Sequence, residues 1–364
     1  MTKARYIMIG GFLGAGKTTA ILKLAAHLKS QGLRVGLITN DQSIDLVDTA
    51  RARSAGYSVE EITGGCFCCK FNSLVDASRA LTDSTKPDVF IAEPVGSCTD
   101  LKATVSYPLR ELYGEQYHIA PLTVLVDPKR AAAVMGLEHG KTFSEKVIYV
   151  YRKQLEEAEI IVIHKADLIN AAQRAALLSA LNQQYPAARV VVASSTTGEG
   201  LDAFYAMITS DELGHRETMT VDYDIYADGE ALLGWVNIRG SLQAQSEFDG
   251  NALIAGLASR IRTRLSEKNI EVAHLKMTLA PDAGSDMASN SLTRSDESAK
   301  ATHRLAAPIT EGDLMVNLRA EADPQVLREI VERELSAMEA AVFTLINAAA
   351  FRPGRPNPTH RIQV

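Results

Sequence analysis

The sequence predicts an α/β fold, a mostly parallel, helix-covered sheet followed by a smaller α+β carboxyl-terminal domain. Short apolar, β-branched runs recur at Arg5–Gly10, Arg34–Thr39, Asp88–Ala92, Leu122–Val126, Glu159–Ile163 and Arg189–Ala193. They are nearly continuous rather than alternating, as strands buried on both faces are. Helical stretches separate them: in Lys17–Lys29, residues Ile21, Leu24, Ala25 and Leu28 fall at i, i+3, i+4 and i+7. Such alternation implies a parallel sheet with ligand loops at the carboxyl ends of its strands.

From about Asp211 the pattern changes. Leu233–Arg239, Val272–Leu279 and Asp313–Arg319 alternate like half-exposed strands, accompanied by helical stretches at Gly250–Glu267 and from Asp323 to about Ala350. Asp323-Pro324 is a good helix start, an N-cap followed by proline. The polar, serine-rich run Asp282–Thr302 reads as a flexible loop. The expected organisation is a first domain over 1–210, a second over 211–350 containing the loop 282–302, and an extended basic tail over 351–364.

At 364 residues, a prior of roughly one domain per 150 residues agrees with two domains. A net charge of −6 argues against general nucleic-acid binding. No apolar run reaches the ~18 residues of a membrane span, and the apolar amino-terminal run is too short for a signal peptide. A cytoplasmic globular protein is expected, with neither nucleic acid nor membrane as partner.

Gly11-Phe12-Leu13-Gly14-Ala15-Gly16-Lys17-Thr18 matches GxxxxGK[ST] between a strand and a helix. Glycines there let successive backbone N–H groups turn toward phosphate oxygens at a helix amino terminus. The predicted nucleoside triphosphate site comprises Gly11, Gly14, Ala15, Gly16, Lys17, Thr18 and Thr19. Lys17 would reach the β- and γ-phosphates, and the Thr18 hydroxyl would ligate Mg²⁺. Glu93, ending a buried strand in Glu93-Pro94-Val95-Gly96, and Asp41, in a candidate switch segment 40–48, are carboxylates placed to orient Mg²⁺ or its waters. His164-Lys165-Ala166-Asp167 follows another strand and resembles the guanine-reading NKxD motif, with histidine for asparagine. There Asp167 would accept from guanine and the Lys165 stem would lie against the base; Ser194-Ser195 could add backbone contacts.

Gly64-Gly65-Cys66-Phe67-Cys68-Cys69 places three of the four cysteines within four residues. Thiolates so close together suit one Zn²⁺ or related ion and leave a tetrahedral site one ligand short, as an exchangeable site requires. Buried apolar cysteines or a redox pair are the competing readings. Cys98 reads as a small core or loop residue with a lesser prospect of being the fourth ligand. The scattered His274, His303 and His360 read as ordinary residues.

With these motifs in order, the chain resembles the CobW-type GTPases, relatives of HypB and UreG, over its first 210 residues or so. The resemblance implies a P-loop GTPase domain with slow GTP hydrolysis, Lys17, Thr18 and Glu93 as its catalytic residues, and Zn²⁺ or Co²⁺ cargo at Cys66, Cys68 and Cys69. It further implies delivery of that ion to a client metalloprotein. Glu93–Gly96 matches the family's ExxG motif, whereas Asn40–Asp45 departs from the family's common wording. A client or a second copy of the chain is expected to complete the hydrolytic site. Two other outputs stay open: a GTPase switch guarding a metal- or cobalamin-dependent enzyme without carrying its metal, and a small-molecule kinase, for which the sequence offers no acceptor pocket with a base.

Overall fold

The computed structural model describes residues 3–40, 52, 55–138, 142–210, 217–282 and 286–364. They form two compact units. The first takes residues up to 40 with Ala55–Gly229 and Arg355–Val364, and the second takes Glu230–Gly354.

The sheet of the first unit contains β1 (Ala4–Gly10), β2 (Val35–Asn40), β3 (Ser58–Ile62), β4 (Val89–Glu93), β5 (Tyr117–Ile119), β6 (Thr123–Val126), β7 (Ile160–Ile163) and β8 (Arg189–Val192). Its order is β3-β2-β4-β1-β6-β7-β8, with β5 also on β1, and every pairing is parallel. Strands β4, β6 and β7 are buried throughout, which accounts for their unbroken apolar runs. Helix α1 (Lys17–Ser30) buries Ile21, Leu24, Ala25 and Leu28, the stripe read from sequence. Two strands escaped that reading: β3, whose Ser58-Val59-Glu60-Glu61 is mostly half-buried at the sheet edge, and the three-residue β5.

Because β1 lies between β4 and β6, with β7 beyond, the loops after these strands emerge side by side at one end of the sheet. There the phosphate loop, Glu93 and the HKAD segment meet.

In the second unit, β9 (Leu233–Phe248), β10 (Val272–Ala280), β11 (Ala288–Leu292), β12 (Lys300–His303), β13 (Ile309–Glu321) and β14 (Val342–Phe351) form an antiparallel sheet of order β12-β11-β10-β13-β9-β14. The helices Gly250–Glu267 and Pro324–Ser336 bury Ile254, Leu257, Ile261, Leu327, Ile330 and Val331 in one apolar cluster with these strands.

Three expectations are corrected. The helix from Asp323 ends at Ser336, and Val342–Phe351 is an edge strand on β9; the run Val342-Phe343-Thr344-Leu345-Ile346 is rich in residues that favour a pleated surface. The loop 282–302 contains β11 and β12, since Ala288, Asn290 and Leu292 turn to the buried face when β11 pairs with β10. The units part after Gly229 rather than at 210, because Lys102 and Lys153 donate to the carbonyls of Glu217 and Thr220, and Thr99 N–H donates to the Tyr226 hydroxyl. Residues 355–364 likewise belong to the first unit. Among the described residues, no helix is long and apolar enough to cross a membrane.

Candidate nucleotide and metal site

The phosphate loop leaves β1 through Gly11 and enters α1 at Gly16, with Gly11, Gly14 and Gly16 at φ of 130°, 82° and 93°. A side chain is excluded at both ends: a Cβ on Gly11 would lie 2.3 Å from the Leu125 carbonyl, and one on Gly16 would lie 2.6 Å from His164 Nδ1. Four loop carbonyls are tied away from the cradle. Gly11 accepts from Lys17 Nζ (2.9 Å), Leu13 from Arg130 Nη1 (2.9 Å) and Gly14 from Lys165 Nζ (2.6 Å), while the Ala15 carbonyl lies 2.9 Å from His164 Nδ1. With its acceptors so engaged, the loop presents backbone N–H groups to an anion, the arrangement a phosphate chain requires.

Thr18 follows Lys17 in the first turn of α1, with Thr19 next to it. Its hydroxyl donates to Glu93 Oε1 at 2.9 Å, and both residues are buried. The contact follows from topology, since β4 pairs with β1 in parallel and delivers Glu93 beside the loop. A hydroxyl and a carboxylate at the helix start are hard oxygen donors, the set Mg²⁺ prefers. Asp41, the other predicted Mg²⁺ carboxylate, lies outside the described residues, as do most of the candidate switch residues.

On the far side of the loop, His164 is buried, and burial pushes it down to about 4, so the imidazole is neutral. Donation from Nδ1 to the Ala15 carbonyl leaves Nε2 to accept from the Ser195 hydroxyl, 2.8 Å away. This histidine therefore holds the phosphate loop against the segment after β8. The Lys165 ammonium bridges Gly14 O and Asp127 Oδ2 (2.9 Å), and Ser194 Oγ donates to Asp167 Oδ1 at 2.5 Å. The predicted phosphate and base residues thus converge at one end of the sheet.

Sequence reasoning missed Asp127 and Arg130. Asp127 directly follows β6 and caps the next helix by accepting from Lys129 and Arg130 N–H. Burial would raise its carboxyl, but Lys165 and Arg130 outweigh that and hold it at about 2. The Arg130 guanidinium sits over the Phe12 and Phe143 rings as it braces Leu13. An Asp-Pro pair directly after an apolar run was the available signal.

The three cysteines are brought together, with Sγ–Sγ separations of 2.7 Å for Cys66–Cys68, 3.3 Å for Cys66–Cys69 and 3.7 Å for Cys68–Cys69. Gly64 and Gly65, at φ of 72° and 153°, turn the chain after β3, and Cys69 and Lys70 N–H close the turn on the Cys66 carbonyl. Asn40, at the end of β2, donates its amide to Ile62 O (3.0 Å) and Gly65 O (2.7 Å), fixing the turn to the sheet. Cys66 and Cys68 are buried and Cys69 is half-buried. Hydrogen bonding with Cys68, Cys69 and then Cys98 holds Cys66 well below the usual thiol range, whereas Cys68 is pushed well up and Cys69 to about 11. One negative charge on the three sulfurs is thus favoured over two or three. Cys98 is buried in the core, as expected, and hydrogen-bonds Cys66, while the sulfurs that lie within 4.8 Å of one another are those of Cys66, Cys68 and Cys69.

A family model described as "CobW/HypB/UreG, nucleotide-binding domain" matches residues 5–192, more than half of the chain. The chain is 30% identical over 161 residues to "Zinc chaperone YeiR" of Escherichia coli (strain K12), covering 44% of this chain and 46% of that protein. It is 28% identical over 183 residues to "Zinc chaperone CobW" of Sinorhizobium sp, covering 45% and 51%. It therefore spans about half the length of these curated relatives. Among solved structures it is similar to HypB from Helicobacter pylori in complex with nickel, with a TM-score of 0.41 and 22% identity over 56% of this chain and 84% of that one.

Proposed function

We propose, on the premise that this chain belongs to the CobW/HypB/UreG nucleotide-binding family, that it is a GTP-hydrolysing metallochaperone taking Zn²⁺ or Co²⁺ at Cys66, Cys68 and Cys69 and passing it to a client metalloprotein. The observation that carries this reading is the group of three thiols whose sulfurs all lie within 4.8 Å of one another, in the same unit as a formed phosphate loop. Two curated relatives named zinc chaperones support it.

In this reading Gly11, Gly14, Ala15, Gly16 and Thr19 surround the phosphates, and Lys17 exchanges its bond to Gly11 O for the β- and γ-phosphate oxygens. Thr18 and Glu93 would hold Mg²⁺ or its waters, with Asp41 as a further carboxylate, and bound Mg²⁺ would offset charge developing on the transferred phosphoryl group. Asp167 and Lys165 read guanine while neutral His164 keeps their segment against the loop. Intrinsic turnover is slow, and a client or a second copy of the chain completes the site.

Coupling between the two ligands would run through the loop after β4. A Cβ on Gly96 would meet Lys17 Nζ at 3.0 Å, and two residues later Cys98 contacts Cys66. Gln154 fixes that loop by donating to the Gly96 and Cys98 carbonyls at 2.9 and 2.8 Å. A change at the phosphates that moves Gly96 therefore moves the sulfur group, and by linkage the metal alters nucleotide affinity by the same factor.

The test is titration of reduced protein with Zn²⁺ and Co²⁺ against a chromophoric chelator, with and without Mg²⁺ and a non-hydrolysable GTP analogue. Tight binding that changes with nucleotide and disappears in the Cys66/Cys68/Cys69→Ser variant is expected. Absence of binding would sink the metallochaperone reading and favour the guarding switch.

A further inference from the structure

Residues 355–364 form no helix or strand, yet they are bonded along their length to the first unit. Arg355 pairs with Asp224 at 2.6 Å. Asn357 N–H donates to Cys69 Sγ at 3.1 Å. Thr359 donates its N–H to the Cys68 carbonyl (2.8 Å) and its hydroxyl to the Cys69 carbonyl (3.1 Å). The His360 ring meets the Phe71 ring edge-on at 4.9 Å, directly after the cysteine turn. Arg361 Nε then donates to Asp100 Oδ2 at 2.7 Å, and Ile362 N–H to Ala103 O at 2.9 Å.

This segment touches both halves of the coupling route. Its first part lies on the cysteine turn, and its second part on residues 100–103, which follow Cys98. Asp100 is buried, stands at φ 63° and also accepts from the Tyr223 hydroxyl at 2.7 Å, so Arg361 meets a fixed partner. In Pro356-Asn357-Pro358 neither proline has an N–H, and the amide of Asn357 is the single backbone donor of the three. That donor points at Cys69, the most exposed of the three sulfur ligands.

We propose, resting on the metal reading above, that segment 355–364 is a removable part of the metal site. The Asn357 amide is a positioning group that fixes the Cys69 sulfur by donating to it, and the strap carrying it closes the site over the ion. An N–H donor to a ligating sulfur stabilises its negative charge, and loss of such supporting bonds typically weakens metal binding about 10–100-fold. Ion capture and strap docking then form one linked equilibrium, in which lifting the strap releases the ion.

Transfer of Zn²⁺ from the reduced full-length chain to excess chromophoric chelator tests this, alongside iodoacetamide labelling of the metal-free protein read residue by residue. Asn357→Pro, which removes the amide hydrogen, and Arg361→Ala, which removes the anchor, should each speed release by about tenfold and accelerate labelling of Cys69 over Cys68. Asn357→Ala keeps the amide and should restore slow release; Zn²⁺ should slow hydrogen exchange at Thr359 and Ile362 in the wild-type chain. Stoichiometric Zn²⁺ binding with unchanged release in both Asn357→Pro and Arg361→Ala would overturn the strap alone. Failure of the wild-type chain to bind Zn²⁺ would overturn the metal reading and the strap with it, and a variant lacking a normal thermal transition is replaced by the exchange measurement.

Discussion

The phosphate loop and the cysteine turn are assembled from the same parts: a strand end, glycines at positive φ and the start of a helix. They differ in what completes them. Residues 11–18 need only outward ties for their carbonyls, and Lys17, Arg130, Lys165 and His164 supply these. The cradle is formed before any nucleotide arrives. Residues 64–69 gather three thiols that cannot all ionise side by side, and their other supports come from Asn40, Cys98 and Asn357. The first site is preorganised, while in the proposed reading the second needs a cation to balance its charge. The proposed metallochaperone role would use that asymmetry, because a fixed nucleotide site could then act on a metal site whose closure is conditional.

Removing Lys17 should produce the largest effect. Charge-assisted bonds are worth about 1.5–3 kcal/mol each, so Lys17→Ala should weaken Mg²⁺·GTP binding by about 100-fold or more in equilibrium titration. It should also abolish the influence of GTP on Zn²⁺ affinity. Persistence of that influence at saturating nucleotide would mean that the coupling does not run through Lys17.

Exchanging cysteines one at a time sharpens the contrast. Cys68→Ser deletes a buried sulfur of the three-thiol group and should reduce Zn²⁺ affinity by about 100-fold. Cys98→Ser should cost about tenfold if that thiol only supports Cys66. Co²⁺ charge-transfer intensity counts the sulfurs directly: four thiolates in the wild type and three in Cys98→Ser would promote Cys98 to a ligand.

The same contrast explains how much was legible in the sequence. The phosphate loop is contiguous, so its glycines, Lys17 and Thr18 stand in one motif, and Glu93 was reachable because buried parallel strands announce themselves as apolar runs. The cysteines were equally visible. Their supports were not, since Cys98 and Asn357 lie 32 and 291 positions after Cys66 and only the fold brings them close. Val342–Phe351 was misread for a related reason. It follows a well-marked helix, and its strand character depends on pairing with β9, a partner about a hundred residues away.

A further prediction probes the loop between the two sites. Glu157 is buried and accepts from Lys102 N–H at 2.9 Å and Thr99 Oγ1 at 3.1 Å, so it clamps the residues just after Cys98. Burial, opposed by these bonds and reinforced by Asp100, raises its carboxyl to about 8. The folded chain therefore binds this proton more tightly than the unfolded chain. Glu157 favours folding below the ordinary carboxyl range near 4.5 and becomes a growing cost as pH rises toward 8. By pH 7 that cost is on the order of 3 kcal/mol at ~1.4 kcal/mol per unit. Glu157→Gln keeps the shape and can still hydrogen-bond, but it has no proton to lose. Its thermal midpoint, compared with wild type at pH 5 and pH 7.5, should fall less over that interval by about 5 °C or more. Equal pH dependence in the two proteins would mean that the carboxyl ionises normally and that the clamp on residues 99–102 is held as a carboxylate.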